Sequence, residues 1–464
     1  MLFLFQVKKV LIITYYWPPS GGSGVQRWLK FVKYLREFGI EPIVLTIDPH
    51  FATFPNYDYS LLKEIPEGIE IHTTHASSPF ELYKKVRKKD APQAGFSGEK
   101  TSGLVDKAMR FIRGNFFIPD ARIGWNKFAI EKAKEIIKQN NIDSIITSSP
   151  PHSTQLIGLE LKRMFNLNWL ADMRDPWTEI YYNKELFRTS LAKKKDFKLE
   201  QLCLKNADKI VVVSEDIKRH FGANRKEIMN KIHVIPNGFD EDDFLKVKSE
   251  ELTVKSEELS GKSEELTVKS EELTGKSEME SGKLRTENLT YKVISYVGNL
   301  GEQYPVEGFL QAFSEIVKND REWKLNFVGN CHDGVKKIVE ELNISNSVAF
   351  VPYVNHLEAI NYMIKARILL LIIPEMENNK GILTGKLFEY LATGNPIINI
   401  GPKDGDAAAI LKENAVSITL NTTEKQEIID FILNSTPSDS KMNFTKSKFS
   451  RKNLTGEMAN LILN

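Results

Sequence analysis

Residues 8–28 read KKVLIITYYWPPSGGSGVQRW, and three signals follow one another within them. Lys9 to Tyr15 is a short, continuous run of apolar and β-branched residues, the pattern of a strand buried on both faces. Pro18 and Pro19 stop it, because proline has no N–H to give to a ladder. Gly21, Gly22 and Gly24 then let the backbone turn closely, and a helix begins near Val25, covering about Gln26 to Phe38. A helix reached through glycines at a strand end presents free N–H groups and a positive dipole end to an anion. Glycine turns of this kind are common, and the spacing is not that of a dinucleotide site. Gly21, Gly22 and Gly24 are therefore candidate substrate-binding positions. Arg27, one turn in, is either a phosphate partner or an ordinary surface arginine.

Outward from this unit the alternation repeats. EPIVLTI, DSIITSS, NWLADMR and KIVVVSE are further strands separated by amphipathic stretches, and HVIPNGFD closes the half. Alternation of strands and helices reads as a parallel sheet covered on both faces. It resumes with YKVISYVGNL, WKLNFVGN, SVAFVPYV, ARILLLIIP and PIINIG, a second and independent sheet. Between them KSEELTV, KSEELSG and their repeats keep a seven-residue period, with Leu252, Leu259, Leu266 and Leu273 one per unit. Val254 and Val268 fill a second apolar position in only alternate units, and Gly261, Gly275 and Gly282 interrupt, so a polar, partly helical spacer is favoured over a coiled coil. The expected organisation is a first α/β domain over 1–240, the heptad insert over 246–286, a second α/β domain over 287–440, and a terminal helix within 441–464 that packs back on the first.

Composition narrows the function. The chain has 464 residues, 41% hydrophobic and 27% charged, and no apolar stretch long enough to span a bilayer. Lys8 and Lys9 interrupt the apolar opening, and no small-residue cleavage site follows, so a signal peptide is not expected. Cys203 and Cys331 stand far apart and give neither a disulfide framework nor a zinc spacing, so no metal is expected and a reducing, cytoplasmic location is. A net charge of +2 carries no argument for nucleic acid. Local charge says more. Lys84, Lys85, Arg87, Lys88 and Lys89 form a basic run beside Phe80, Leu82 and Tyr83, and an apolar-basic stretch follows from Met109 to Ile118. Such a surface rests on anionic lipid at roughly 1 kcal/mol per cation, or is a solvated helix face.

The segment TSSPPHSTQLIG puts His152 where a strand gives way to a helix, the edge at which open α/β sheets bind ligands, although a lone histidine is more often structural. ADMRDPW ends the next strand with Asp172, Arg174 and Asp175, either a salt-bridged cluster or polar groups aimed into the same crevice, with Trp177 as packing. GILTGKLFEYLATGNP carries the sharpest signal. Gly381 and Gly385 let the backbone curl, and Thr384, Gly385, Lys386 and Leu387 open a helix whose amides and ammonium suit a diphosphate. Glu389 lies about one turn on and can accept from a ribose diol, or is a surface residue of an amphipathic helix.

Taken in order, KVLIITYYWPPSGGSG, VIPNGFD, SYVGNLG, LNFVGN, VPYV and GKLFEYLATGNP resemble the retaining glycosyltransferases of family four, bacterial cell-surface polysaccharide enzymes among them, over nearly the whole chain except the heptad insert. The resemblance implies a GT-B fold of two Rossmann-like domains facing across a cleft, with the donor in the second domain and a saccharide or lipid-linked acceptor in the first. It implies that Gly385, Lys386 and Leu387 meet the donor diphosphate, that Glu389 holds the ribose, that His152 lies near the transferred sugar, and that Pro352, Tyr353 and Val354 flank the base. Gly298 and Asn299 fall in the first loop of the donor domain. Two departures stand out: Gly381 replaces the family's earlier glutamate, and Asn299 and Tyr304 replace its arginine and lysine. Lys386, Arg174 or Arg27 would then supply the charge, with His152, Lys386 and Arg174 as catalytic residues and Asp175 on the acceptor side. The implied chemistry is retention of configuration from a nucleotide-diphosphate sugar, without metal or other cofactor, at the inner face of the cytoplasmic membrane in polysaccharide synthesis. The alternatives are an epimerase or phosphorylase, or a GT-B binding protein that has lost catalysis.

Overall fold

The computed structural model describes residues 7–77, 104–223, 225–247, 292–435 and 447–464. The basic run Lys84–Lys89 and the heptad insert from residue 248 lie outside the described residues.

Two wholly parallel sheets confirm the two-sheet architecture. Among the described residues the first contains seven strands, β1 (Lys8–Thr14), β2 (Ile40–Ile47), β3 (Glu70–Thr74), β4 (Ser144–Ser149), β5 (Asn168–Met173), β6 (Lys209–Val212) and β7 (Ile232–Val234), in spatial order β3-β2-β1-β4-β5-β6-β7. The second contains six among the same residues, β8 (Val293–Val297), β9 (Lys324–Val328), β10 (Val348–Val351), β11 (Ile368–Ile372), β12 (Ile397–Ile400) and β13 (Ser417–Leu420), in order β10-β9-β8-β11-β12-β13. Chain order reverses between β1 and β4 in one sheet and between β8 and β11 in the other. At such reversals successive connections leave to opposite faces and a crevice opens at the strand ends.

Each sheet is covered on both sides, which is why its central strands are apolar throughout. Leu11, Ile13, Ile43 and Trp169 pack against one layer of helices in the first half, while Val10, Ile12, Trp28 and Val44 pack against the other. Phe309, Phe313, Leu325 and Leu370 fill one side of the second sheet, and Leu369, Leu387, Phe388 and Tyr390 the other.

The first helix is Ser23–Leu35, three residues earlier at each end than its sequence predicts. Gly22, at φ 98°, makes the turn itself, so Ser23 and Gly24 already belong to the helix. A 3-10 turn, Arg36–Phe38, then tightens the end before Gly39 at φ 75°. The last helix, Arg451–Leu463, packs on Ser23–Leu35 and places Leu454, Met458 and Ile462 in the first half's core. Its start is pinned by paired backbone bonds between Phe239 and Phe449 or Arg451 at 3.0 and 2.8 Å.

Candidate functional site

On the first half, the loops after β1 and β4 meet at the reversal point, and Arg174 at the end of β5 ties them together. Its guanidinium donates to the carbonyls of Gly24 (2.8 Å), Ser149 (3.0 Å) and Pro150 (3.3 Å). Burial lowers its pKa, and a Cβ on Gly24 would stand 3.2 Å from its Nη1. Arg174 therefore holds the shape of the loops, its bonds going to backbone oxygens. Gly21 donates to Asn56 O at 2.9 Å, while Gly22 faces open space and the helix after it has no side-chain cap.

Arg27 is not available to a phosphate. Its side chain is fully buried, donates to the Asp172 carboxylate at 3.0 and 3.2 Å, and donates to Pro236 O at 3.0 Å. Asp172 also accepts from Trp28 Nε1 and Ser148 Oγ, both at 2.8 Å. The salt-bridged cluster exists, but its arginine comes from the first helix. The physical reason is that a charge on the inner face of a helix must find its counter-ion in the core. Asp175 stays apart, with no hydrogen bond among the described residues, and burial raises its pKa against the pull of Arg174.

His152 is 4% exposed and stacks on Trp177, ring centroids 5.2 Å apart. Neither ring nitrogen makes a well-formed hydrogen bond among the described residues, although the backbone of Pro176 lies close enough to pull its pKa up slightly. Burial, opposed by Asp120, lowers its pKa to about 4, so the imidazole is neutral at physiological pH. It borders a cavity of about 40 Å³ shared with Asp120, Arg113, Arg122 and Trp177, room for a water or a small polar group. A buried ring with two idle nitrogens beside such a cavity is equipped to receive a ligand's hydroxyls.

On the second half, the helix Gly385–Thr393 begins without a side-chain cap, and Thr384 Oγ1 is buried without a partner among the described residues. Among the described residues nothing lies within 4 Å of a Cβ built on Gly385. The first-turn amides thus open on free space. Lys386 is half-buried with its Nζ 3.0 Å from Tyr296 Oη and 4.5 Å from the centre of that ring. Burial lowers its pKa to about 8 although Glu389 pulls it up. Tyr296 passes the contact on, its hydroxyl donating to Asn299 O at 2.8 Å. Gly298, at φ 130°, lies so close that a Cβ would come within 2.5 Å of Lys386 Nζ. Asn299 itself is exposed, and Leu387 is buried in the core below.

Glu389 is mostly buried, 3.7 Å from His356 Nε2, which is also 3.4 Å from Asp243. Burial lowers the His356 pKa, but the Asp243 bond and Glu389 outweigh it and the net direction is up. Pro352, Tyr353 and Val354 follow β10, with Tyr353 62% exposed and close enough to Asp58 of the first half to feel its charge. Gly381 abuts the first half too: a Cβ there would lie 2.8 Å from Asp216 Cβ, leaving no space for a glutamate. Sequence reading missed Tyr296, His356 and Asp243. Tyr296 stands in the quoted SYVGNL, but nothing in one sequence says that its ring meets the ammonium of Lys386.

The residues match known families in two blocks. Residues 96–243 match the glycosyltransferase family 4 model and residues 281–438 the glycosyl transferases group 1 model, together about two thirds of the chain. No curated protein matches the chain. A glycosyltransferase from Rickettsia africae shares the fold at 16% identity and TM-score 0.59, over 98% of this chain and 99% of that one. So does Anabaena HepE, solved in complex with UDP, at 12% and 0.57 over 98% and 99%. Sucrose-phosphate synthase from Thermosynechococcus elongatus does so at 14% and 0.58 over 98% of each chain. The chain belongs to the GT-B glycosyltransferases.

Proposed function

We propose that this glycosyltransferase moves a sugar, with retention of configuration, from a nucleoside-diphosphate sugar to a saccharide or lipid-linked saccharide hydroxyl in cell-surface polysaccharide synthesis at the cytoplasmic face of the membrane. The observation that carries the reading is the uncapped helix start at Thr384–Gly385–Lys386, open above Gly385, with a cation in its first turn and Glu389 one turn on. Amides and ammonium suit the diphosphate, and Glu389 the ribose diol. The donor-domain loops at Gly298 and at Pro352–Val354 lie on the same strand-end edge of the second sheet.

The reaction places negative charge on the departing diphosphate and leaves an oxocarbenium-like sugar. Stabilising the leaving group is the main task, and preorganised donors do it best where water is excluded. Lys386 and the helix amides perform that task. The departing phosphate oxygen takes the acceptor proton, so no side-chain nucleophile is needed. His152, neutral and with idle nitrogens, orients sugar hydroxyls, and Arg174 keeps the loops around it in place. Neither a metal nor another cofactor enters this scheme.

The experiment is thermal-shift and calorimetric titration with uridine, guanosine and adenosine diphosphates, then incubation with a labelled donor sugar with and without acceptor. One nucleotide should bind selectively and its sugar should transfer only when acceptor is present. Conversion of the sugar without acceptor would make the protein an epimerase. Binding without turnover would make it a binding protein, the reading that Asn299 and Tyr304 at the family's arginine and lysine places favour.

A further inference from the structure

Two helices of the first half meet at a corner whose outer surface is unlike the rest of the molecule. Leu104–Phe116 exposes Phe111, Ile112 and Phe116, the last 73% accessible. Ser190–Asn206 begins beside it and exposes Leu191, 81% accessible, with Phe187 just before and Phe197 further on. The junction is held by Asn115, whose side chain donates to Phe187 O at 3.1 Å and accepts from Thr189 N at 2.8 Å. Thr189 in turn caps the second helix through Ala192 N at 3.2 Å. Large apolar side chains are thus gathered on a rigid scaffold and left facing solvent, which in a soluble domain marks a contact surface.

The charge around them identifies the partner. Along Ser190–Asn206, Leu191, Lys194, Lys195 and Lys198 recur at helical spacing on one exposed face, with Lys193 beside them. No ion pair involves these lysines among the described residues. The acids of the same helix are turned inward: Asp196 is buried against Arg188 and Trp177, and Glu200 is buried and accepts from Thr178. Glu185 at the rim is paired with Arg110 at 3.0 Å. An apolar cluster bordered by lysines without ion pairs, on a helix whose own acids face inward, complements the acyl-headgroup boundary of an anionic bilayer.

We infer that this corner, Phe111, Ile112, Phe116, Phe187 and Leu191 with the Lys193–Lys198 face, docks the enzyme on an anionic membrane. The corner adjoins the proposed reaction site: Arg113 of its first helix, with Phe117 and Leu186 next to the corner residues in the chain, lines the cavity that His152 borders. Docking there sets the cavity beside the headgroups, where a lipid-linked acceptor presents its saccharide. The surface deepens the lipid-linked reading of the acceptor and rests on it for its purpose.

The test is vesicle co-sedimentation of the full chain. Vesicles of phosphatidylcholine alone are compared with vesicles containing about one third phosphatidylglycerol, at low and high salt. The wild type should sediment with the anionic vesicles and be released by salt. Lys194→Glu/Lys195→Glu/Lys198→Glu should weaken partitioning by at least about tenfold, because each cation near the surface contributes to it. Phe116→Ser/Leu191→Ser should lose binding that salt does not explain. All five positions are exposed, so both variants should keep the wild-type melting temperature and nucleotide thermal shift. No sedimentation by the wild type, equal sedimentation with neutral vesicles, or wild-type partitioning by both variants would overturn the inference. So would loss of binding only when Lys84–Lys89 are reversed. Vesicle binding with no nucleotide binding would sink the proposed function and leave this surface standing.

Discussion

Replacing Lys386 by Met separates what the side chain does for stability from what it does for a ligand. Methionine keeps an unbranched apolar side chain beside Tyr296, while the ammonium that lies over that ring is lost. In the free protein that ammonium is a liability. Its pKa, lowered to about 8 by burial from the 10.5 of a solvated lysine, corresponds to at most roughly 3 kcal/mol against folding, since one pKa unit is worth about 1.4 kcal/mol. Loss of the cation–π contact gives back about 1 kcal/mol. Lys386→Met should therefore melt no lower than wild type at pH 7. The sign with pH follows from protons. Between pH 8 and 10.5 the unfolded chain holds a proton that the folded one has released, so wild-type stability rises with pH through that window. The variant's advantage is full below pH 8 and closes as the pH approaches 10.5. Affinity for a nucleoside diphosphate should move the other way, falling about 10- to 100-fold, since a hydrogen bond to a charged group is worth roughly 1.5–3 kcal/mol. Urea denaturation at pH 7 and 10 gives the first quantity and calorimetric titration the second. Wild-type affinity in Lys386→Met, or a loss of stability above about 2 kcal/mol, would refute the assignment of the ammonium to a ligand.

Arg27→Met should destabilise by roughly 3 kcal/mol by leaving Asp172 buried without its counter-charge, yet leave nucleotide affinity per folded molecule unchanged, which urea midpoints and titration together check. Gly298→Ala forces a side chain into φ 130° and against Lys386 Nζ, so it should cost about 1–3 kcal/mol and weaken nucleotide binding as well. His152 is held neutral by burial, with a pKa of about 4 against 6.5 for a free imidazole, so the unfolded chain gains a proton first on acidification. His152→Asn should lose stability less steeply than wild type between pH 6.5 and 4, and its transfer rate should fall at least about tenfold. His356 titrates in the opposite sense. Its raised pKa contributes stability that is complete below pH 6.5 and is lost as the pH climbs through the folded value, and His356→Gln should abolish that decline in urea midpoints.

The strands that the chain announces most clearly are the ones buried on both faces. KKVLIIT, IEPIVLTI and ILLLI have no polar alternation, because helices cover both sides, and that leaves period and length as sufficient signals. Strands β3, EIHTT, and β13, SITL, escape the same reading because they are edge strands with half-exposed faces, where threonine and histidine are as welcome as isoleucine. Site residues divide along another line. Gly385, Lys386 and Glu389 are local to one helix, so their spacing already carries their geometry. Arg27 is the contrary case: it sits one turn past a glycine loop, as a phosphate ligand would, and only the sheet's topology, which brings Asp172 beneath that helix, decides where its charge goes.

The same dependence on long-range contacts explains how the two halves are kept in register. Lys30, on the first helix, is surrounded by Asp240 at 2.7 Å, Asp243 at 2.8 Å and Glu64 at 2.8 Å. Burial opposes its charge, yet those carboxylates raise its pKa overall. Asp243 then reaches His356 of the second half, and His356 reaches Glu389. The carboxylate proposed to hold the ribose is therefore the end of a chain of charges that begins on the helix after β1. Arg451, on the returning terminal helix, donates to Gln26 O at 2.6 Å and feels Asp240, Glu389 and Asp243. Buried charges of this kind contribute little net stability over well-packed apolar residues, but they penalise any arrangement that separates the partners. A shift of one half against the other would strand Asp243 without His356, in a setting where an unpaired charge costs several kcal/mol. The network thus constrains the one geometric quantity that neither sheet can set alone, the position of the donor helix relative to the loops around His152.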